Sequence, residues 1–459
     1  MNKEDVLTST MPSKENVPLD QSKDTVQEEI QTIHVPTAPS KAEIRSAKFG
    51  YFGYFFGTGA IFAYFGVIFT SVGLSSRHIG LLVASIPLFS VFLLPVVTYL
   101  VDRFRCLRSF LVVCAIGTTL SSVIFLSTPT YPILLTAFIA LVAFQAPLNP
   151  LFDQHVLSML PKETRLDSWG ALRSLGAYGW GIGNPFAAWI VEWKGSWSIA
   201  SIQYAFGQLA LLYCIFTTKP YEKLERTPMR FHEVFQFVLG HHRLLLFLLA
   251  SCLMGMGYSF INTFLFIFLE SLGGSKLLMG LSLTLTVSTE IPIFKCSKVL
   301  GRWFTDRQML SISMFIWSGR VLGYSFLKNP WMVLFLEPLH GVTFALMWLP
   351  GVHTVNNTFP SHLSNSATGF HYMFVAGIGP IIGNIIAGNL YQMLGPRMLF
   401  RTASIGMMCG LVLFQVIDRI LERREVVVTA VEGLTDTKAE MKVECARCEV
   451  PEETLEFTM

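Results

Sequence analysis

The sequence predicts an all-α polytopic membrane protein with twelve transmembrane helices in two six-helix repeats. Three observations lead there. Of 459 residues, 52% are hydrophobic and only 14% charged, against about 25% charged in soluble domains. The apolar residues fall in runs of about 20, long enough to cross a bilayer. Landmark residues also recur in the same order about 200 positions apart, the mark of paired six-helix repeats.

Taken in order, residues 1–46 carry eight acidic and five basic side chains, no apolar core and no signal-peptide h-region. They read as a disordered tail. Spans follow at 48–71, 78–101, 107–128, 131–156, 168–191, 197–217, 244–269, 277–298, 308–327, 330–351, 368–391 and 397–419. The basic connection 218–243 divides them six and six. That gives an N-terminal bundle over 47–217, a linker over 218–243 and a C-terminal bundle over 244–419. Residues 420–459, with ten acidic and five basic groups, form a second tail. The membrane portion, 47–419, holds 24 basic and 13 acidic residues, a net charge of +11.

Loop charge sets the expected orientation. With the N-terminus inside, the inner loops hold Arg103, Arg105, Arg108, Lys162, Arg165, Lys219, Lys223, Arg226, Arg230, Arg243, Lys298, Arg302 and Arg307. The outer loops hold only Arg77, Lys194, Lys276, Lys328 and Arg397. Both tails then face the cytosol, with the plasma membrane as the default and an endomembrane open. The sequon at Asn356 falls on the inner side, where glycosylation does not reach it.

The repeat is carried by several matches. Gly57 and Gly59 recur as Gly255 and Gly257, and Ser75 and Gly80 as Ser275 and Gly280. Gly183-Asn184 with Gly195 recurs as Gly383-Asn384 with Gly395, and Asp102-Arg103 as Asp306-Arg307. Two parallel repeats place a binding site between the halves near the midplane, with access alternating by rocking.

Charges inside the spans mark that site, because a lone charge at a helix centre costs about 2.5–3.5 kcal/mol or more. Arg320 lies about 18 Å into span 9 and His340 about 15 Å into span 10, at 1.5 Å per residue. Glu290 lies about 20 Å into span 8, and Pro292 after it frees a carbonyl where a gate could bend. Glu337, three residues before His340, shares its helix face. Asp153, late in span 4, and Arg173, early in span 5, can pair. Trp180 stands two turns from Arg173 on the same side, where an indole can stack on a ligand ring. Arg173 opens the glycine-rich stretch from Trp169 to Gly183, a packing seam for a membrane helix. Structural ion pairing accounts for any one of these charges; together they describe a polar cavity.

The six-plus-six plan with Asp-Arg loops resembles the major facilitator superfamily. Within it, the chain is similar to the lactose permease-like oligosaccharide and nucleoside–proton symporters and their eukaryotic relatives. The resemblance lies in Trp169-Gly170-Ala-Leu-Arg173-Ser-Leu-Gly176-Ala177-Tyr-Gly179-Trp180, preceded by Ala146-Pro147 and Asp153. It extends to Glu290 before Ile-Pro, and to Arg320 twenty residues before His340-Gly341-Val-Thr343-Phe344. It implies that Asp153, Arg173 and Glu290 hydrogen-bond substrate, that Trp180 stacks on it, and that Arg320 and His340 serve proton coupling. Two departures matter. Thr343 stands where those symporters carry the proton-bearing carboxylate, so Glu337 is the local replacement. Tyr258, Ser259 and Asn262 stand where acids are expected in span 7.

The expected function is secondary active transport of a small polar organic solute, sugar- or nucleoside-like, by proton symport. The alternatives are a proton-independent facilitator and a non-transporting receptor or scaffold. The expected partners are the solute, protons and the lipid bilayer, with no nucleic acid, and the protein acts as a monomer. No Walker loop, HExxH or large soluble domain points to an enzyme. No cofactor or metal is called for. Cys445 and Cys448 lack two further zinc ligands nearby, and the eight cysteines, mostly within apolar runs, do not form a disulfide framework.

Overall fold

The computed structural model describes residues 39–448 except Pro129, 162–164, 220–230 and 360–368. The N-terminal tail to residue 38 and the last eleven residues lie outside that range. Among the described residues the secondary structure is helical throughout. In chain order the helices are α1 (Lys41–Thr58), α2 (Phe65–Ser71), α3 (Ser76–Phe104), α4 (Leu107–Ser127), α5 (Tyr131–Gln145), α6 (Leu148–Met159), α7 (Arg165–Lys194) and α8 (Ala200–Thr217). The second repeat holds α9 (Phe231–Gly240), α10 (His242–Ser271), α11 (Lys276–Lys295), α12 (Ser297–Trp303), α13 (Asp306–Ser325), α14 (Val333–Leu336), α15 (Pro338–Thr358) and α16 (Gly379–Cys448).

Seven of the helical stretches are long and apolar enough to cross a bilayer, and an eighth joins Pro330–Leu336 to Pro338–Val355 across a 40° bend. The remaining expected spans are helical too. Span 1 is broken between α1 and α2, and α7 and α13 carry more polar side chains. Spans 11 and 12 run on as α16, broken at Gly395, whose φ of 77° lies in the left-handed region. Pro292 does not break α11, which runs on to Lys295 before Cys296 interrupts it. Helix α16 continues as backbone helix to Cys448, past the start of the expected tail at residue 420. The side chains of Asp102, Asn356, Cys445 and Cys448 lie outside the description.

The expected linker contains α9. Its Val234 and Val238 are buried with Leu244, Leu248, Val355, Phe359 and Phe370. The cause is visible in 231–238, where Phe231, Val234, Phe237 and Val238 recur at helical spacing within a basic stretch.

The repeat is legible in the turns and the seams. Gly73 (φ 82°) and Gly273 (φ 81°) make one pair of left-handed turns, and Gly195 (φ 69°) and Gly395 a second pair, each 200 residues apart. Glycine occupies them because a β-carbon resists that backbone. Within the halves, α1 packs on α7 and α8, and α10 on α16. Between the halves, α3 packs on α16 and α7 on α11. A β-carbon on Gly80 of α3 would overlap the Asn384 carbonyl of α16. A β-carbon on Gly280 of α11 would overlap Pro185 of α7, beside Asn184. The two seams are therefore counterparts, and both depend on close backbone approach.

Both seams lie at the end where α3 and α11 begin. There Tyr64 donates to the Asn184 carbonyl (3.0 Å) and stacks on Phe266 of the other half (5.7 Å). Glu192 of α7 accepts from the Leu277 backbone N–H (3.0 Å). The halves are closed at this end.

The second Asp-Arg pair braces the opposite end of the C-terminal repeat. Asp306 accepts from His353 Nδ1 (2.7 Å) and Thr354 Oγ1 (2.8 Å). Arg307 and Arg243 both hold Asp418 of α16. A cavity of about 850 Å³ opens among these groups.

Candidate functional site

Two polar clusters lie inside the spans. The first belongs to the N-terminal repeat. Arg173 Nε meets Asp153 Oδ1 at 3.3 Å, joining α7 to α6, and the side chains remain 29% and 20% exposed. Tyr51 of α1 donates to the same Asp153 oxygen (2.6 Å), and Trp169 Nε1 donates to the Tyr51 hydroxyl (3.0 Å). The Arg173 guanidinium also lies over the Phe55 ring, 4.3 Å from its centroid. The pairing expected between spans 4 and 5 is therefore made.

Helical geometry fixes where Arg173 and Trp180 point. Gly176, Gly179 and Gly183 pack against Phe55, Phe52 and Phe56 of α1, while Gly181 faces Val287 of α11. At about 100° per residue, Arg173 and Trp180 fall on the arc between those two contacts. Tyr178, Ile182, Trp189 and Trp193 are exposed on the far side, where lipid would lie. The arc shared by Arg173 and Trp180 thus faces the space between the halves.

The second cluster belongs to the C-terminal repeat. Arg320 donates from NH2 to Glu337 Oε2 (2.9 Å), and Tyr324 donates to Glu337 Oε1 (2.6 Å). The side chains of Arg320 and Glu337 are 0% and 3% exposed. Arg320 and Tyr324 are one turn apart on α13 and so share a face. Glu337 sits at the bend between α14 and α15, where Pro338 removes a backbone donor. Arg320 NH1 lies 2.9 Å from His340 Nδ1. A guanidinium can only donate, so His340 Nδ1 accepts and its proton is on Nε2. The three residues expected to act together in coupling are in direct contact.

From His340 an aromatic ladder runs along α15. Phe344 stacks on His340 (5.9 Å, 7°), and Trp348 stacks on Phe344 (5.9 Å, 12°). Tyr258 meets His340 edge-on (5.4 Å), Phe294 meets Phe344 (6.2 Å) and Tyr372 meets Trp348 (5.7 Å). A π-helical segment, Met373–Ile378, follows Tyr372. Such segments recur at functional sites.

Glu290 stands apart from both clusters. It is half-buried, and among the described residues its carboxylate has no ion pair or hydrogen bond. Tyr258, Ser259 and Asn262, which replace the expected acids of span 7, line a cavity of about 210 Å³. Phe62 and Phe65, Val83 and Pro87, and Pro380 and Asn384 complete its walls from the other spans. Sequence reasoning missed Tyr51 and Tyr324. The signal for Tyr324 was its position four residues after Arg320; none pointed to Tyr51, whose partner lies 102 residues away. Among the described residues no group of His, Cys, Asp and Glu could hold a metal ion.

Two helical repeats joined by pseudo-symmetric seams, with Arg173 on the arc that faces the space between them, define a polytopic membrane protein of two bundles. The chain belongs to the MFS_1 like family, whose model matches residues 44–402. It is similar to the major facilitator superfamily domain-containing protein 6-like protein A of Xenopus laevis, 22% identical over 307 residues, covering 63% of this chain and 50% of the frog protein. The chain thus spans about half the length of that relative. It is also similar to a maltose permease of Geobacillus stearothermophilus, 22% identical over 349 residues, covering 74% of this chain and 86% of the permease. In three dimensions it is similar to the nucleoside transporter NupG, with a TM-score of 0.70 at 16% identity, covering 82% of this chain and 98% of the other. That likeness shows the shared fold.

Proposed function

We propose that the protein is a secondary active transporter that moves a small polar organic solute, sugar- or nucleoside-like, by proton symport with alternating access. The observation that carries this reading is the placement of Arg173 and Trp180 on the arc of α7 that faces the other repeat, with Asp153 holding the guanidinium. A charge pair kept part-exposed on that arc, where burial in lipid would be costly, supports a polar ligand that enters the space. Asp153, Arg173 and Glu290 bind the solute by hydrogen bonds, and Trp180 stacks on it. Arg320, Glu337 and His340 form the coupling group. Protonation of Glu337 would release Arg320, and that loss of an ion pair is the change a rocking motion can read. With both termini cytosolic, the seams close the outer end and leave the protein inward-facing.

The names of two relatives, a maltose permease and a nucleoside transporter, support the solute class. The test is uptake into proteoliposomes under an imposed pH gradient, screened across sugars and nucleosides. Flux that rises with the gradient and is abolished in Glu337→Gln is expected. Gradient-independent flux unchanged in that variant would establish a facilitator instead. The absence of any flux, with specific retention of a protein partner, would establish a receptor or scaffold.

A further inference from the structure

We infer that the solute carries a positive charge and that Glu290 holds it; this rests on the transporter reading above. Five charged side chains make up the two clusters and the carboxylate that stands apart from them: Asp153, Arg173, Arg320, Glu337 and Glu290. Arg173 meets Asp153, and Arg320 meets Glu337. His340 accepts from Arg320 at Nδ1 and so adds no charge. Glu290 remains without a counter-charge among the described residues. Neither ion pair leaves a positive charge over to offset Glu290.

Glu290 points inward. It lies on the stripe of α11 that carries the buried Met279 and Thr286, at positions i−11 and i−4. Ser288 and Pro292, two residues to either side, lie on the opposite, exposed face. Gly341 of α15 packs against the Glu290 backbone N–H, where a β-carbon would not fit. That contact brings the helix of the aromatic ladder against the turn that carries Glu290: Phe344 is one turn beyond Gly341, Phe294 one turn beyond Glu290, and the two rings meet. Tyr258 meets Phe344 edge-on at 5.9 Å.

A lone carboxylate on a helix turn packed against the helix that carries an aromatic ladder is an arrangement that suits a protonated amine. The ion pair supplies the missing counter-charge, and the rings add cation–π attraction. An anion would meet repulsion. A neutral solute can hydrogen-bond to the carboxylate but leaves its charge uncompensated in a low-dielectric site.

Purified full-length protein in nanodiscs at neutral pH would be titrated by thermal shift with two charge series. One compares phenethylamine with 2-phenylethanol and 3-phenylpropionate. The other compares choline with its neutral isostere 3,3-dimethyl-1-butanol. The expected result is binding of the cation at least about ten-fold tighter than its neutral counterpart in one series, a difference of about 1.4 kcal/mol. In Glu290→Gln the ratio should fall to near one, while Glu290→Asp, which keeps the charge, should retain most of it. The inference is overturned if neutral or anionic members bind as tightly, or if the preference survives in Glu290→Gln. It is also overturned if no member binds at roughly 10 mM, well beyond ordinary affinities. A Glu290→Gln variant that alters only the pH dependence of stability would assign the carboxylate to a bare proton and equally overturn it. Preference for neutral solutes leaves the transporter reading standing, because flux in proteoliposomes tests that separately.

Discussion

Arg173–Asp153 and Arg320–Glu337 are the same kind of ion pair in two settings. In the first, the side chains keep 29% and 20% of their surface open, and a single 3.3 Å contact joins them. In the second, they keep 0% and 3%, and both carboxylate oxygens are taken, by Arg320 and by Tyr324. Each repeat contributes one pair, and in the proposed function only the open, wet one exchanges partners with an incoming solute. The dry pair is held by its own desolvation: its net worth is small, but losing one member leaves a charge buried without compensation. Repetition thus supplied a frame, while the chemistry placed in the frame diverged.

The largest expected effect breaks the dry pair. Arg320→Ala should cost about 3–5 kcal/mol, read as a large drop in thermal unfolding temperature. A double variant, Arg320→Met with Glu337→Leu, should recover most of that loss because no buried charge remains. A single-variant cost near zero would mean that the C-terminal cluster is not dry, and the contrast with Arg173 would disappear.

Next comes the wet pair, where stability and function should separate. Arg173→Ala should cost under about 1 kcal/mol of stability, as partly exposed pairs do. It should nonetheless lower solute uptake by about ten-fold or more, the equivalent of 1.4 kcal/mol. Differential scanning fluorimetry and initial rates in proteoliposomes check both halves of the statement. An unfolding loss as large as that of Arg320→Ala would make the two pairs equivalent.

The seams offer a symmetric comparison. Leucine at Gly80 or at Gly280 should wedge its seam open, because neither site has room for a β-carbon. Labelling of a cysteine placed at Asn262, in a cysteine-depleted background and from the closed end, should rise several-fold in both variants. A response in only one would show that the halves close by different contacts.

The smallest effect concerns the loop after α3, where Arg105 caps the helix at φ 53°, the one described non-glycine residue with positive φ. Such a backbone costs a side-chain-bearing residue about 1–2 kcal/mol. Arg105→Gly should therefore stabilise the protein by roughly 1 kcal/mol in chemical denaturation, offset in part by the freedom glycine gains when unfolded. The corresponding turn in the second repeat, at Phe304, is extended and should gain nothing from glycine.

Much of the candidate site is legible in the chain because membrane insertion makes each charge conspicuous. Arg173, Glu290, Arg320 and Glu337 stood out against apolar neighbours, and the spacing of Glu337 and His340 put them on one face. Tyr51, Tyr324 and the Phe344–Trp348 ladder did not stand out, since aromatic residues are at home in any span. Helix α9 was read as a linker because a short amphipathic helix on a basic background has no span-length signal.

The sequence by itself determined the helical spans, the repeat and the list of charges that need a reason to exist. These follow from local rules: apolar length, glycine spacing and the cost of a charge in lipid, all written along one dimension. Only the tertiary structure decided which charge meets which. Asp153 reaches Arg173 from the next helix and Glu337 reaches Arg320 across a bend, while among the described residues Glu290 reaches no ion-pair or hydrogen-bond partner. Such pairing depends on contacts of about 3 Å between helices far apart in sequence, and that distance is set by how the two halves pack.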